Sequence, residues 1–354
     1  MAKGDLVLLT GATGFLGYNT LLDLLRSGYH VRAAVRSDAK AAKVRAAPSL
    51  KALMPSSAQL SFVLVPDMTA PGAYDEAAQG VKYIIHCANP IPSFGEGEAP
   101  SADQLEAVFV KPAAGGVTSM LNAAAKSSTV KRVVITSSTV ANVPFEYYID
   151  KATDTATRVF TPDDRIPVAP APYGFEFEAY SAGKAAALNT IDKFVADHKD
   201  LGFDVVSILP SWIFGKDELV SSAAGMRVGS TNAVLLGVLL GTTNDLSYSG
   251  NAVKGSDVAM AHVRALQAPA VRGQGHQAFV VNTTIVWEDA ITIAKKYHPE
   301  AFADGRLKDT GKQPTTALAW DVSKSEKVLG IKFSPFEEMV KEVVDQYLEL
   351  LARE

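Results

Sequence analysis

The sequence predicts an α/β chain built on a doubly wound parallel sheet with a smaller C-terminal lobe. Two observations carry that expectation. Short runs of aliphatic and β-branched residues recur without polar alternation, as strands covered on both faces require, and segments with helical spacing separate them. A glycine-rich turn, Thr10-Gly11-Ala12-Thr13-Gly14-Phe15-Leu16-Gly17, joins the first run to the first helical segment.

The runs fall at residues 6–10, 29–35, 60–65, 81–87, 132–137 and 204–209. Strand and helix are therefore expected to alternate six times, with right-handed crossovers. The clearest helix spans 15–26, where Leu16, Thr20, Leu21, Leu24 and Leu25 share one face before Ser27-Gly28 ends it. Ser101-x-x-Gln104 reads as a capping box opening a fourth helix, which Pro112 must kink and Gly115-Gly116 loosen. Beyond Leu209 the pattern turns irregular, with a helix at 231–240, a capped helix from Asp257 to Leu266, a late strand at 276–282, and helices near 288–297 and 336–351. The expected division is 1–210 for the sheet domain, with a return strand near 276–283, and 211–354 mainly for the second lobe. Two connections, 89–102 and 139–172, are long and follow the carboxyl ends of strands, where such sheets build their sites. Surface ornament is the other reading of such loops.

Composition narrows the function classes. The 354 residues are 47% hydrophobic and 20% charged, enough apolar material for a large core. A net charge of −4, without a block of Lys or Arg, argues against nucleic acid or an anionic membrane as partner. Cys87 is the single cysteine, so no internal disulfide forms, and the scattered histidines lack metal-ligand spacing, so no metal is expected. The apolar run at the N-terminus is too short for the core of a signal peptide, and residues 233–240 fall far short of a bilayer span. A cytoplasmic protein is expected, as a monomer or homodimer, with a small molecule as its partner.

The glycine turn sits where a dinucleotide-binding, Rossmann-type fold needs its phosphate loop. Gly11 can take backbone angles closed to other residues, Gly14 lets a pyrophosphate approach the main chain, and Gly17 lets the helix pack on the sheet. Gly11, Thr13, Gly14, Phe15, Leu16 and Gly17 are thus expected to meet the cofactor. The spacing G-x-x-G-x-x-G is one residue wider than the usual fingerprint, so its position between strand and helix supplies the specificity. After the second strand comes Arg36, where a chain that binds NAD would usually offer a carboxylate to the ribose. A guanidinium can hold the 2′-phosphate of NADPH in a fork, and Lys40, one helical turn on, adds charge. The bland alternative is a solvated helix start.

Tyr180-Ser181-Ala182-Gly183-Lys184 places a phenol and an ammonium on one helix face. A neighbouring positive charge favours the phenolate, so Tyr180 is expected to release its proton near neutral pH, to a carbonyl oxygen as hydride reaches the carbon. Tyr147 and Lys151 repeat the spacing inside a loop broken by Pro144, and Tyr147 is read as structural or substrate-facing. Ser138, closing the fifth strand, is expected to point its hydroxyl into the crevice. Phe94 and Val140, with Ser138 and Tyr180, are candidates for the substrate pocket. Phe94, Phe145, Tyr147, Tyr148 and Trp212 either wall such a pocket or pack in the core. His86 and Cys87 are consecutive at a strand end, and buried packing is their expected role.

These residues resemble the extended short-chain dehydrogenase/reductases, and within them the branch of dihydroflavonol reductases, cinnamoyl-CoA reductases and fungal aldehyde or carbonyl reductases. The similarity runs along most of the chain through TGATGFLG, VRAAVRS, Asp67-Met68, HCANP, KRVVITSS, YSAGK, LPSWIFG and SDVAMAHVRAL. It implies that Ser138 polarises a carbonyl, that Tyr180 donates the proton, and that Lys184 also holds the nicotinamide ribose. It further implies that Asp67 and Met68 contact adenine, that Ala88 lies along the cofactor, and that Pro210 and Ile213 flank the carboxamide. The activity implied is reduction of an aldehyde or ketone with NADPH, the second lobe binding the substrate. Many relatives keep an asparagine where this chain has Lys111, which leaves the proton-relay route open. Two rivals share the fold: a nucleotide-sugar epimerase or dehydratase, and an NADP-binding sensor without turnover. Dehydratases resembling this family carry an Asp-Glu pair where this chain has Thr139-Val140-Ala141, and sensors lack the tyrosine and lysine.

Overall fold

A computed structural model of the chain describes residues 4–95 and 98–354. Seven parallel strands form the central sheet: β1 (Leu6–Thr10), β2 (His30–Val35), β3 (Leu60–Leu64), β4 (Tyr83–His86), β5 (Arg132–Thr136), β7 (Asp204–Pro210) and β11 (His276–Val281). The other strands lie outside it: β6 (Val159–Phe160), β8 (Trp212–Phe214), β9 (Tyr248–Ser249), β10 (Asn251–Lys254), β12 (Thr283–Thr284), β13 (Thr315–Thr316) and β14 (Ala319–Trp320). The sheet order is β3-β2-β1-β4-β5-β7-β11, so the strand order reverses between β1 and β4. A crevice opens at such a switch point, beyond the carboxyl ends of the strands.

Successive strand residues face opposite sides, which divides the core in two. Val7, Leu9 and Ile85 pack with helices α1 (Phe15–Arg26) and α7 (Gly255–Ala265). Leu8, Ile84 and Val133 face α4 (Lys111–Lys126) and α5 (Glu176–Asp197) on the other side. Helices α2 (Asp38–Ala46) and α3 (Pro48–Leu53) follow β2, and α6 (Thr231–Leu239) lies in the second lobe. There β8, β10 and β12 form a small sheet over a core of Phe214, Leu235, Trp287 and Val340. No helix of the described residues is long and apolar enough to cross a membrane.

Four local expectations change. The strand at 60–64 is an edge, with Ser61 and Leu64 exposed, and Arg45 covers Phe62 from 4.4 Å. The link from β3 to β4 is a series of turns rather than a helix. The capping box at Ser101 and Gln104 forms, but it opens a 3-10 turn that passes through a π-helical turn, Glu106–Val110, before α4 begins. Pro112 thus sits in the first turn of α4, where its missing N–H costs nothing. Asp257 does not cap its helix; its carboxylate accepts from the backbone and hydroxyl of Ser334, which fastens the C-terminal segment.

The π-helical turn lies hard against α5. A Cβ at Gly183 would come within 2.7 Å of the Phe109 carbonyl oxygen, so only glycine permits this approach. Gly183→Ala is therefore expected to destabilise the fold by about 1–3 kcal/mol through overpacking, read as a lower denaturant midpoint at unchanged m-value.

Candidate active site

One cleft of about 830 Å³ runs along the carboxyl ends of the strands and gathers the residues expected from the sequence to serve catalysis, the cofactor and the substrate pocket. Gly11, Thr13, Gly14, Phe15, Leu16 and Gly17 line it after β1, and Arg36 and Lys40 after β2. Asp67 and Met68 follow β3, and Ala88 follows β4. Ser138 and Val140 come after β5, Tyr180 and Lys184 from α5, Pro210 and Ile213 from the end of β7 onward, and Phe94 from the long loop after β4.

The turn after β1 is shaped by close contacts. Gly11 has φ +78° and touches the start of the loop after β4, where a Cβ would lie 2.9 Å from the Ala88 nitrogen. A Cβ at Gly17 would lie 2.0 Å from the Gly11 carbonyl oxygen, so α1 can start this close to the sheet only with glycine there. At Gly14, by contrast, the nearest atom would be 3.6 Å away. Among the described residues nothing crowds the position of a Gly14 side chain. Gly14 caps α1 without a side-chain hydrogen bond, and the first turn of α1 holds no acidic residue, so its amides face the cleft ready for an anion.

Cations flank this turn. Ser37 accepts from the Lys40 amide and starts α2, which carries Lys40 and, on its next turn, Lys43 into the cleft lining. Among the described residues neither Arg36 nor Lys40 has a carboxylate partner, so both charges stand free for a phosphate. Lys43 was not singled out from the sequence, although its spacing from Lys40 is that of one helix face. Across the cleft, hydrogen bonds from the Thr69 hydroxyl and amide hold Asp67 ionised, below its usual range.

At the other end stands the phenol. Lys184 is almost fully buried, its ammonium donates to the Thr136 carbonyl at 3.2 Å, and it lies 5.7 Å from the centre of the Tyr180 ring. Burial pulls Lys184 down to about 8. Burial also pushes Tyr180 up to about 12, against the pull of a hydrogen bond with Ser138. Burial thus acts on Tyr180 in the direction opposite to the one expected of the neighbouring ammonium.

Ser138 accepts from the Val140 amide and donates to the Pro210 carbonyl, both at 3.4 Å. Ser137 also borders the cleft, but its buried hydroxyl finds no partner among the described residues. Of the two readings of Tyr147 the structure selects the structural one: the ring is buried and its hydroxyl donates to Asp154. Its neighbour Tyr148 faces the cleft instead, with Phe94 and Trp212, while Phe145 packs behind them on Phe175 and Phe177. Phe177 also lines the cleft. The sequence reading missed it, although it sits one turn before Tyr180. Lys111 points outward to Glu106 at 3.7 Å, and Pro112 borders the cleft in its place.

His86 and Cys87 show no sign of nucleophilic chemistry. Burial pulls His86 down to about 3, and its Nδ1 lies 2.9 Å from the Thr10 hydroxyl. Burial pushes the Cys87 thiol up to about 11, the wrong direction for a reactive thiolate. A second constellation has the outline of a hydrolytic triad: Ser207 Oγ is 2.8 Å from His276 Nε2, and His276 Nδ1 is 2.6 Å from Asp192. Ser207 is wholly buried within the sheet, so no substrate reaches it.

Known proteins resemble the whole chain. The family model described as the NAD dependent epimerase/dehydratase family matches residues 7–281. Ketoreductase CTB6 of Cercospora nicotianae is 36% identical over 355 residues, covering 98% of this chain and 96% of its own. NAD-dependent epimerase/dehydratase ALT6 of Alternaria alternata is 36% identical over 351 residues, covering 95% and 96%. Among solved structures, yeast methylglyoxal/isovaleraldehyde reductase Gre2 complexed with NADPH shares the fold, with a TM-score of 0.79 at 23% identity over 99% of this chain and 100% of its own.

The free cations beside the glycine turn have a direct test. NADPH is expected to bind at least about tenfold more tightly than NADH, the value of one charge-assisted pair. Arg36→Glu is expected to reverse that preference, read by titrating the fluorescence of each nucleotide.

Proposed function

Because this chain belongs to the NAD dependent epimerase/dehydratase family, the extended short-chain dehydrogenase/reductases, we propose that it is an NADPH-dependent carbonyl reductase that converts an aldehyde or ketone to the alcohol. The observation that carries this reading is the cleft itself, which puts unpaired cations and a glycine turn at one end and Tyr180, Ser138 and Lys184 at the other.

The glycine turn, Arg36, Lys40 and Lys43 would hold the phosphates of NADPH, with Asp67, Met68, Ala88, Lys184, Pro210 and Ile213 along the rest of it. Bound in the cleft, this cofactor supplies the hydride. Ser138 donates a hydrogen bond to the carbonyl oxygen and polarises it. Tyr180 gives that oxygen its proton as negative charge develops there. An alkoxide is a stronger base than a phenolate, so the transfer runs downhill even from a phenol held near 12. Lys184 sits beside the phenolate left behind and favours it by charge, its direction fixed by the Thr136 carbonyl.

A dehydratase would need further acid and base groups next to Ser138. Thr139 and Val140, both buried, stand there instead. A sensor without turnover would need neither the phenol nor the ammonium.

Tyr180→Phe is expected to lower kcat by at least about 100-fold, since only the proton donor is lost, with NADPH affinity within a few-fold of the parent. Retained turnover would remove Tyr180 from the mechanism. The pH profile gives a second check. Burial lowers Lys184, so its charge is complete well below about 8 and is lost above it. Hence kcat/KM is expected to fall as pH rises through about 8, while Tyr180 stays protonated. Lys184→Arg, which cannot lose its charge, is expected to remove that alkaline limb.

A further inference from the structure

Lys184 and Ser137 border the cleft and also a second, far smaller cavity of about 10 Å³, room for one water and nothing larger. Val117 of α4 and Leu188 and Ile191 of α5 give this cavity apolar walls, and among the described residues no carboxylate lines it.

Three polar side chains meet there: Ser137, His86 and Lys184. Ser137 continues β5, its amide donating to the Ile208 carbonyl at 2.8 Å, and it falls on the same face as Ile135, which packs toward α4 and α5. Its hydroxyl is buried and has no partner among the described residues. His86 ends β4 on that face too, two residues after Ile84. The Thr10 hydroxyl accepts from the Ala88 amide at 3.0 Å, so its own proton goes to His86 Nδ1 at 2.9 Å. The ring proton of neutral His86 therefore sits on Nε2, the edge turned toward Gly116 of α4, next to Val117 in the cavity wall. Lys184 uses one of its three N–H donors on the Thr136 carbonyl. The cavity thus faces two donors, an ammonium and an Nε2–H, and one hydroxyl able to give or take.

Deepening the carbonyl-reductase reading, on which it rests, we propose that this cavity binds one water, which accepts hydrogen bonds from Lys184 and His86 and donates one to Ser137. A cation in its place would be repelled by the ammonium. The titratable groups facing Lys184 are Tyr180 on its own helix and His86 and Cys87 at the end of β4, each of which burial keeps uncharged near neutral pH. Hydrogen bonds to oxygen, rather than an opposite charge, therefore hold the ammonium in its charged form, and the water supplies the second such oxygen. Ser137 and His86 are positioning residues that act on the chemistry through Lys184. Lys111, which points outward to Glu106, takes no part.

Two measurements test this. A crystal structure of the NADP⁺-loaded parent, at a resolution that orders internal water, is expected to hold one water within about 3.2 Å of Lys184 Nζ, Ser137 Oγ and His86 Nε2. Ser137→Val, which replaces the hydroxyl by a methyl group, is expected to exclude it. An empty cavity in the parent, or a water lacking either the Lys184 or the Ser137 contact, overturns the proposal. The second readout is kcat/KM against pH. Losing a charge-assisted hydrogen bond favours the neutral amine, so the alkaline limb at about 8 is expected to move down by about one pH unit in Ser137→Val. A smaller move is expected in Ser137→Ala, where the water keeps Lys184 and His86. General damage to the fold lowers kcat/KM at every pH and leaves the limb in place. A limb unmoved in both variants overturns the proposal, and Ser137→Ala carries this arm if Ser137→Val does not fold. A parent that binds NADPH yet reduces no aldehyde or ketone fails the reductase reading separately, and the crystal structure then decides the water site alone.

Discussion

The contact on which the site depends is the hydrogen bond from the buried ammonium of Lys184 to the Thr136 carbonyl. It ties the helix that bears the phenol to the strand that ends in the serine. A charge taken out of water must find partners, and this one finds a main-chain oxygen at the carboxyl end of β5 and a ring face beside it. Thr136 is itself anchored from behind, its hydroxyl 2.7 Å from a ring nitrogen of buried His262, which burial pulls down to about 4 and so keeps neutral. The line from α7 through β5 to α5 crosses the sheet and holds the chemistry from both faces.

The same burial that makes the ammonium costly gives the site its division of labour. One end of the cleft is cationic and follows the glycine turn; the other is lined by aromatic rings. Desolvation raises the phenol, which keeps it in the protonated form from which it acts, and lowers the amine, which narrows the pH range over which the lysine keeps its charge. In water the pair would behave as an ordinary phenol and an ordinary lysine.

Much of this was legible in the sequence because it is encoded locally. Buried parallel strands read as uninterrupted apolar runs, the phosphate turn reads as glycines between a strand and a helix, and Tyr180 and Lys184 read as neighbours from their spacing alone. What escaped depends on distant packing. The direction of the Tyr180 shift is set by how deeply the cleft is buried, which no local pattern records. Lys111 lies outside the cleft because the chain passes through a π-helical turn just before Pro112, and that turn is fixed by contact with Gly183 some seventy residues on. Tyr147 and Tyr148 are adjacent in a loop without periodicity, so only the fold separates the packed ring from the one that faces the cleft.

The loop that carries Phe94 is stitched at both ends of its aromatic. The Ser93 amide and hydroxyl donate to Glu176 in the first turn of α5, and Gly95 bridges to Val228, with the Gly229 amide donating to the Phe94 carbonyl. A Cβ at Gly95 would collide with the Arg227 carbonyl at 2.0 Å. This wall is thus a shared seam between two parts of the chain distant in sequence rather than an independent appendage. Transplanting the segment into a relative would succeed only if Glu176 and the strip around Val228 travelled with it, so variation in the three is constrained to occur together.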